Sequence, residues 1–183
     1  MEGLVFPLYH LPPFTYVQSM LGCKKVQISM SEPFQKQSLR SRFEIMSPNQ
    51  RQVLSVPLQK GKSKCRMDEV KISYAEPWQR KHWQALETAY HNSPFFEYYG
   101  YQLKPVFMEQ PVYLWQYNLK LLEMCKTLLK VDVAIEPTET LPNAFDTIEK
   151  TTIVPYDQVF ADRHGFMENL SIVDWLFNVG ANF

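Results

Sequence analysis

Four histidines, at positions 10, 82, 91 and 164, are the first residues able to do acid–base work near neutral pH. His82 lies in a helical stretch beside Trp83, on one stripe with Trp78, Ala85, Leu86 and Ala89. A histidine there is either a general acid or base or a satisfied core residue. Glu87 comes five residues after His82, on a different helix face, so the two form no intrahelical acid–base pair. His164 stands in the polar string Asp162-Arg163-His164-Gly165-Phe166, ahead of the last apolar segment. Loops of this kind often carry function, and a solvated turn is the plain alternative. His10 follows the first apolar run and would stand at a ligand-binding sheet edge if that strand is parallel to its neighbours. His91, near a helix end, reads as a partner of the helix dipole.

Lys36, Arg40 and Arg42, with Ser38 among them, form the most suggestive polar string. Cations just past the end of a parallel strand can hold a phosphate or carboxylate through charge-assisted bonds. An exposed basic edge leading into a hairpin is the alternative. Ser171-Ile172-Val173-Asp174 has the shape of a capping box, with Asn169 as a rival cap. Structurally these residues start the last helix; functionally that helix end, preceded by His164, would bind an anion. Cys65 lies among Lys62, Lys64 and Arg66, where cations favour a thiolate, although such a loop is usually just solvated.

Other chemistries are excluded. No two of the six glycines are two residues apart, which removes both the dinucleotide fingerprint and the Walker A loop. The three cysteines, at 23, 65 and 125, make no Cys-x-x-Cys, and there is no His-Glu-x-x-His, so no metal site is expected. Nor is there a Gly-x-Ser-x-Gly elbow to support a Ser-His-Asp triad.

These side chains must be positioned by a mixed set of elements. Residues 4–9 read as a buried strand, 14–21 as a short helix ended by Gly22, and 25–30 as an alternating strand, together a βαβ unit. Residues 43–46 and 53–58 flank the turn string Ser47-Pro48-Asn49-Gln50 and predict a β-hairpin. A short strand is expected at 70–73. Helices are expected at 78–90, 112–129 and 170–179, with a helical turn at 102–109 interrupted by Pro105. Residues 131–135 and 155–160 read as strands, and 136–152 as a polar connector. The expectation is a single α/β domain over 1–183, with a small mixed or parallel sheet, a β-hairpin and about four helices.

The 183 residues carry 19 Lys and Arg against 19 Asp and Glu, with 45% hydrophobic residues. That suffices for a core, and the neutral balance argues against a nucleic-acid partner. No apolar run reaches the ~18–20 residues of a membrane span, the first residues lack a basic signal-peptide start, and the odd cysteine count fits a reduced, cytoplasmic protein.

Several strings together carry a family likeness. They are Leu11-Pro12 with Tyr16; Phe34-Gln35-Lys36-Gln37-Ser38 through Arg42 and Ile45; His82-Trp83 with Glu87, Tyr90 and Ser93-Pro94-Phe95-Phe96-Glu97-Tyr98-Tyr99; and Arg163-His164-Gly165-Phe166 leading to Asn169-Leu170-Ser171-Ile172-Val173-Asp174, Leu176-Phe177-Asn178 and Gly180. The chain resembles the WbqC-like protein family from near Leu8 to its end. It departs from many members at Pro7-Leu8-Tyr9-His10, at Ser41 and at Glu168. It is short between Lys130 and Tyr156, like the compact members associated with the Bacteroidetes.

The resemblance implies a place in O-antigen and other surface-polysaccharide biosynthesis, with a suggested glycine transferase role. Of its motif positions, His82, His164 and Asp174 are the expected catalytic residues. Lys36, Arg40, Arg42 and Asn169 are the expected substrate-binding residues. The expected partners are an activated small-molecule donor and a sugar acceptor. A non-catalytic module binding a nucleotide-sugar or a pathway protein is the alternative. Cofactor and oligomeric state are left open.

Overall fold

The computed structural model describes residues 4–61, 64–149 and 151–181. In chain order the elements are β1 (Val5–Phe6), α1 (Phe14–Gln18), β2 (Lys25–Ser29), β3 (Arg42–Met46), β4 (Arg51–Ser55), α2 (Trp78–Tyr90), α3 (Phe96–Phe107), α4 (Leu114–Leu128), β5 (Ala134–Thr138), α5 (Phe145–Glu149), α6 (Ala161–His164) and α7 (Ile172–Asn178). A single 3-10 turn covers Met67–Glu69. This is the expected mixed α/β fold, with a small parallel sheet and a hairpin.

The parallel sheet has the order β1-β2-β5. Val5 and Phe6 pair with Gln27 and Ile28, and β2 pairs with all five residues of β5. Val26 and Ile28 are buried while Lys25 is exposed, which is the alternation read from the sequence. In the hairpin, Arg42 pairs with Ser55 and Met46 with Arg51, so the turn falls at Ser47-Pro48-Asn49-Gln50 as expected. Ser47 closes it by donating from Oγ to the Gln50 carbonyl at 2.6 Å. One contiguous core runs from Phe6 and Ile28 through Phe43 and Ile45 to Leu86, Phe107, Tyr117, Leu121 and Phe177.

Several boundaries differ from the sequence expectation. The fifth strand lies at Ala134–Thr138 rather than 131–135 and includes Pro137. β5 is an edge of the sheet, where a missing N–H is tolerated. Residues 102–109 are no isolated turn: α3 runs unbroken through Pro105. Pro105 leaves the carbonyl of Tyr101 without its helical partner, and Tyr101 is 85% exposed, so water can take that bond. Residues 70–73 make only isolated bridges, Leu58 to Ile72 and Lys71 to Tyr113. Residues 155–160 form no strand, and the expected connector contains α5. Among the described residues there are seven helices, three of them of five residues or fewer, where about four were expected.

Gly180 ends the run after α7 at φ +77°, and a Cβ there would sit 3.4 Å from the Phe95 ring. An L side chain in the left-handed region costs about 1–2 kcal/mol. Gly180→Ala is therefore expected to lower the thermal midpoint by several degrees. Gly61→Ala, with nothing within 4 Å of the new methyl, is expected to leave it unchanged. Equal melting of the two variants would contradict the packing described.

Candidate functional site

The C-terminal edge of the parallel sheet brings together the segments that follow β1 and β2. In open α/β sheets this edge is where ligands bind. Glu32, three residues beyond β2, is 2% exposed. One of its oxygens accepts the Leu8 N–H at 3.1 Å, and the other accepts the guanidinium of Arg40, itself 4% exposed. Arg40 also donates to Gln35 Oε1 at 3.3 Å and lies 5.7 Å from the centre of the Tyr9 ring. Burial pushes the Tyr9 hydroxyl pKa up, with the Arg40 charge opposing.

The main chain extends this pair to the first histidine. The Arg40 carbonyl accepts Asn118 Nδ2 from α4 at 2.8 Å, and the His10 N–H donates to the Leu39 carbonyl at 2.8 Å. Because the Asn118 amide nitrogen faces that carbonyl, its oxygen faces His10 Nδ1, 2.9 Å away. Nδ1 must therefore carry the proton, and a neutral His10 presents a bare lone pair at Nε2. That Nε2 is buried and has no partner. The His10 ring stacks on Tyr117 at 5.4 Å and meets the edge of Phe43 at 5.3 Å.

His82 also meets the Phe43 ring, at 6.0 Å, and contacts Trp78 at 5.0 Å. It points inward because Trp78, His82, Leu86 and Ala89 share the buried face of α2. Its Nδ1 is also buried and without a partner. Burial lowers the His82 pKa to about 4. Burial lowers that of His10 to about 3; the Asn118 bond opposes and the neighbouring His82 adds to the shift. Both imidazoles are thus neutral at pH 7, and His82 keeps 8% of its surface open while His10 keeps none.

The other expected site residues are spread out. Lys36 is exposed. Arg42 opens β3, half-buried, with a buried and unpartnered Nε. Arg40 is not a free cation, since Glu32 matches its charge. His164, at the end of α6, donates from Nε2 to the Pro48 carbonyl at 3.0 Å. His82 packs on Phe43 and Trp78, whereas His164 bonds the hairpin turn at Pro48, and no bond or ring contact between the two histidines is seen among the described residues.

Asn169 has φ 58° and accepts Thr15 Oγ1 at 3.2 Å. Ser171, not Asn169, caps α7, accepting the Val173 N–H at 3.4 Å. The other early amides of that helix are taken as well: Ile172 donates to the Pro12 carbonyl at 2.7 Å and Asp174 to the Ser171 carbonyl at 2.8 Å. No free N–H remains there for an anion. The Asp174 side chain does not return to the cap. It is fully buried and accepts Tyr90 at 2.7 Å, Tyr156 at 2.6 Å and Gln158 at 3.0 Å. Burial raises its pKa against these donors.

Glu32 and Asn118 were not visible as site residues in the sequence, and no local spacing pairs Glu32 with Arg40 or Asn118 with His10. The only signal was a lone histidine after the first strand. Among the described residues no group of three or more His, Cys, Asp or Glu is placed to hold a metal ion.

The two histidines have a signed consequence for stability. Their folded pKa values are depressed, so the folded state binds fewer protons than the unfolded chain. Stability is full above pH 6.5 and is lost as pH falls toward 4, by up to about 1.4 kcal/mol per pH unit for each histidine. The thermal midpoint is expected to fall from pH 7 to 4, and His82→Gln to make that fall shallower. An equally steep fall in the variant would contradict a neutral, buried His82.

The family model described as the WbqC-like protein family matches residues 8–154. This span includes His10, Glu32, Lys36, Arg40, Arg42, His82 and Asn118 but stops before His164, Asn169 and Asp174. No curated protein and no solved structure gives a significant match. With four-fifths of its length under that match and the resembling strings in order along it, the chain belongs to the WbqC-like protein family.

Proposed function

We propose that this chain is a transferase that moves an aminoacyl (glycine) or other acyl group from an activated donor onto an amino sugar or glycan precursor, in surface-polysaccharide assembly of the O-antigen type. The observation that supports it best is His82: neutral at pH 7, with an unpartnered Nδ1, packed on Phe43 and close enough to His10 to act on its charge. A neutral imidazole is the form that accepts a proton.

In this reading the acceptor nitrogen attacks the acyl carbon and passes a proton to His82. The new C–N bond forms as the bond from the acyl carbon to the leaving group breaks, and the imidazolium returns its proton to the leaving group. Arg42, at the start of β3 beside Phe43, holds the phosphate or carboxylate of the donor, and Lys36 lies outside this centre, on a separate groove. Arg40 fixes the frame through Glu32, and the fully buried His10 packs against Phe43 from within the core. Asp174 acts as a clamp on α7, and His164 and Asn169 lie outside this centre.

A second reading, a non-catalytic module for a nucleotide-sugar or a pathway protein, draws support from the open surface. A groove of about 550 Å³ runs over Arg80, Trp83, Glu87, Lys104 and Met108, and His82 does not line it.

The test is to mix the protein with a glycyl thioester and a panel of nucleotide-linked amino sugars and follow the acceptor by mass. The expected result is a glycylated acceptor, with turnover lowered about 10²–10⁴-fold in His82→Ala and the fold retained. Nucleotide-sugar binding without product would favour the second reading. Full turnover in His82→Ala would remove the base.

A further inference from the structure

A second groove, of about 730 Å³, lies on the face built by residues 33–36, 58–61 and 65–71. Its floor and walls are apolar, from Phe34, Leu58 and Val70, and its rim carries Lys36, Lys60 and Lys71. Main-chain bonds brace each part. Phe34 N donates to the Cys65 carbonyl at 2.9 Å, and Gln59 N to the Lys71 carbonyl at 2.9 Å. The backbone bridges Pro33–Arg66 and Leu58–Ile72 flank them.

The charges here are unbalanced. Lys25, Lys81, Lys104, Lys120 and Lys126 each pair with a glutamate. None of Lys36, Lys60 and Lys71 is in any ion pair among the described residues, although the Lys71 ammonium lies 5.7 Å from the centre of the Tyr113 ring. The groove's carboxylate, Glu69, accepts the Arg66 N–H at 2.9 Å and closes the 3-10 turn. Among the described residues, three cations against one anion leave a site that favours a ligand of about two negative charges. The half-buried Phe34 ring offers a face for a flat group. The volume falls within the ~300–1,000 Å³ of small-molecule sites.

We propose that this groove binds a nucleotide, with its phosphates between Lys36, Lys60 and Lys71 and its base against Phe34. The assignment concerns binding alone and stands without the transferase reading. A nucleotide that binds while no acyl transfer occurs would count against that reading and leave this one intact.

Isothermal titration of the full chain with UDP, ADP, pyrophosphate and uridine tests it. At least one of the two nucleotides is expected to bind tenfold or more tighter than pyrophosphate or uridine, with affinity falling as salt rises. The double variant Lys36→Gln/Lys71→Gln is expected to weaken that nucleotide at least tenfold while melting like the parent, since both side chains are exposed. Should the pair fold poorly, Lys71→Gln alone carries the comparison. No heat with either nucleotide, pyrophosphate binding as tightly as both, or unchanged affinity in the folded variants would each overturn the proposal.

Discussion

The buried pair of Glu32 and Arg40 is the constraint on which the site depends. Taking a carboxylate and a guanidinium out of water costs several kcal/mol per ion, and the pair persists only when its remaining bonding positions are filled. Most of them are filled here: the Leu8 amide after β1 meets the carboxylate, and Gln35 and the Tyr9 face meet the guanidinium, while Arg40 Nε stays buried without a partner; Asn118 on α4 takes the Arg40 main-chain carbonyl. The ends of β1 and β2, the segment between β2 and β3, and α4 must all be in place before the charges are satisfied. His10 is then held by the same Asn118 and by Leu39, with its tautomer fixed.

Asp174 performs a similar task elsewhere. Its carboxylate joins Tyr90 at the end of α2 to Tyr156 and Gln158 in the stretch before α6, and Tyr90 also accepts the Met46 amide from β3. Nε2 of His10 and Nδ1 of His82 are buried without partners, as are Ser29 Oγ at the end of β2, Arg40 Nε and Trp78 Nε1. Buried polar atoms without partners are uncommon in folded proteins, and the two imidazoles among them are of the side-chain type that takes up a proton near neutral pH.

Much of the fold was legible because it rests on local patterns. The α2 stripe gave the helix its limits, and the alternation around Val26 and Ile28 gave β2. The turn string at Ser47-Pro48-Asn49-Gln50 gave the hairpin. Errors arose where tertiary context outweighed propensity. Pro105 is absorbed by α3 because the carbonyl it strands is exposed, and Pro137 sits in β5 because that strand is an edge. The site was less legible. His82 was singled out correctly as a residue on the apolar stripe, but whether it is core or catalytic depends on its partners, and the partners of buried polar groups come from distant segments. Glu32 meets Arg40 only across a non-helical loop, and Asn118 meets His10 across 108 residues. The Ser171 and Asp174 pattern looked like a capping box, yet only the serine half is used for capping, because three donors from the core claim the aspartate.

The most direct test of the account is a pH titration of the ring nitrogens of ¹⁵N-histidine-labelled protein by NMR. His10 and His82, assigned by substitution, are predicted to stay neutral from pH 8 down to about 5, with His10 showing the Nδ1–H tautomer throughout. Protonation of either ring near pH 6.5, or a His10 with its proton on Nε2, would contradict the arrangement from which the site and its chemistry are argued.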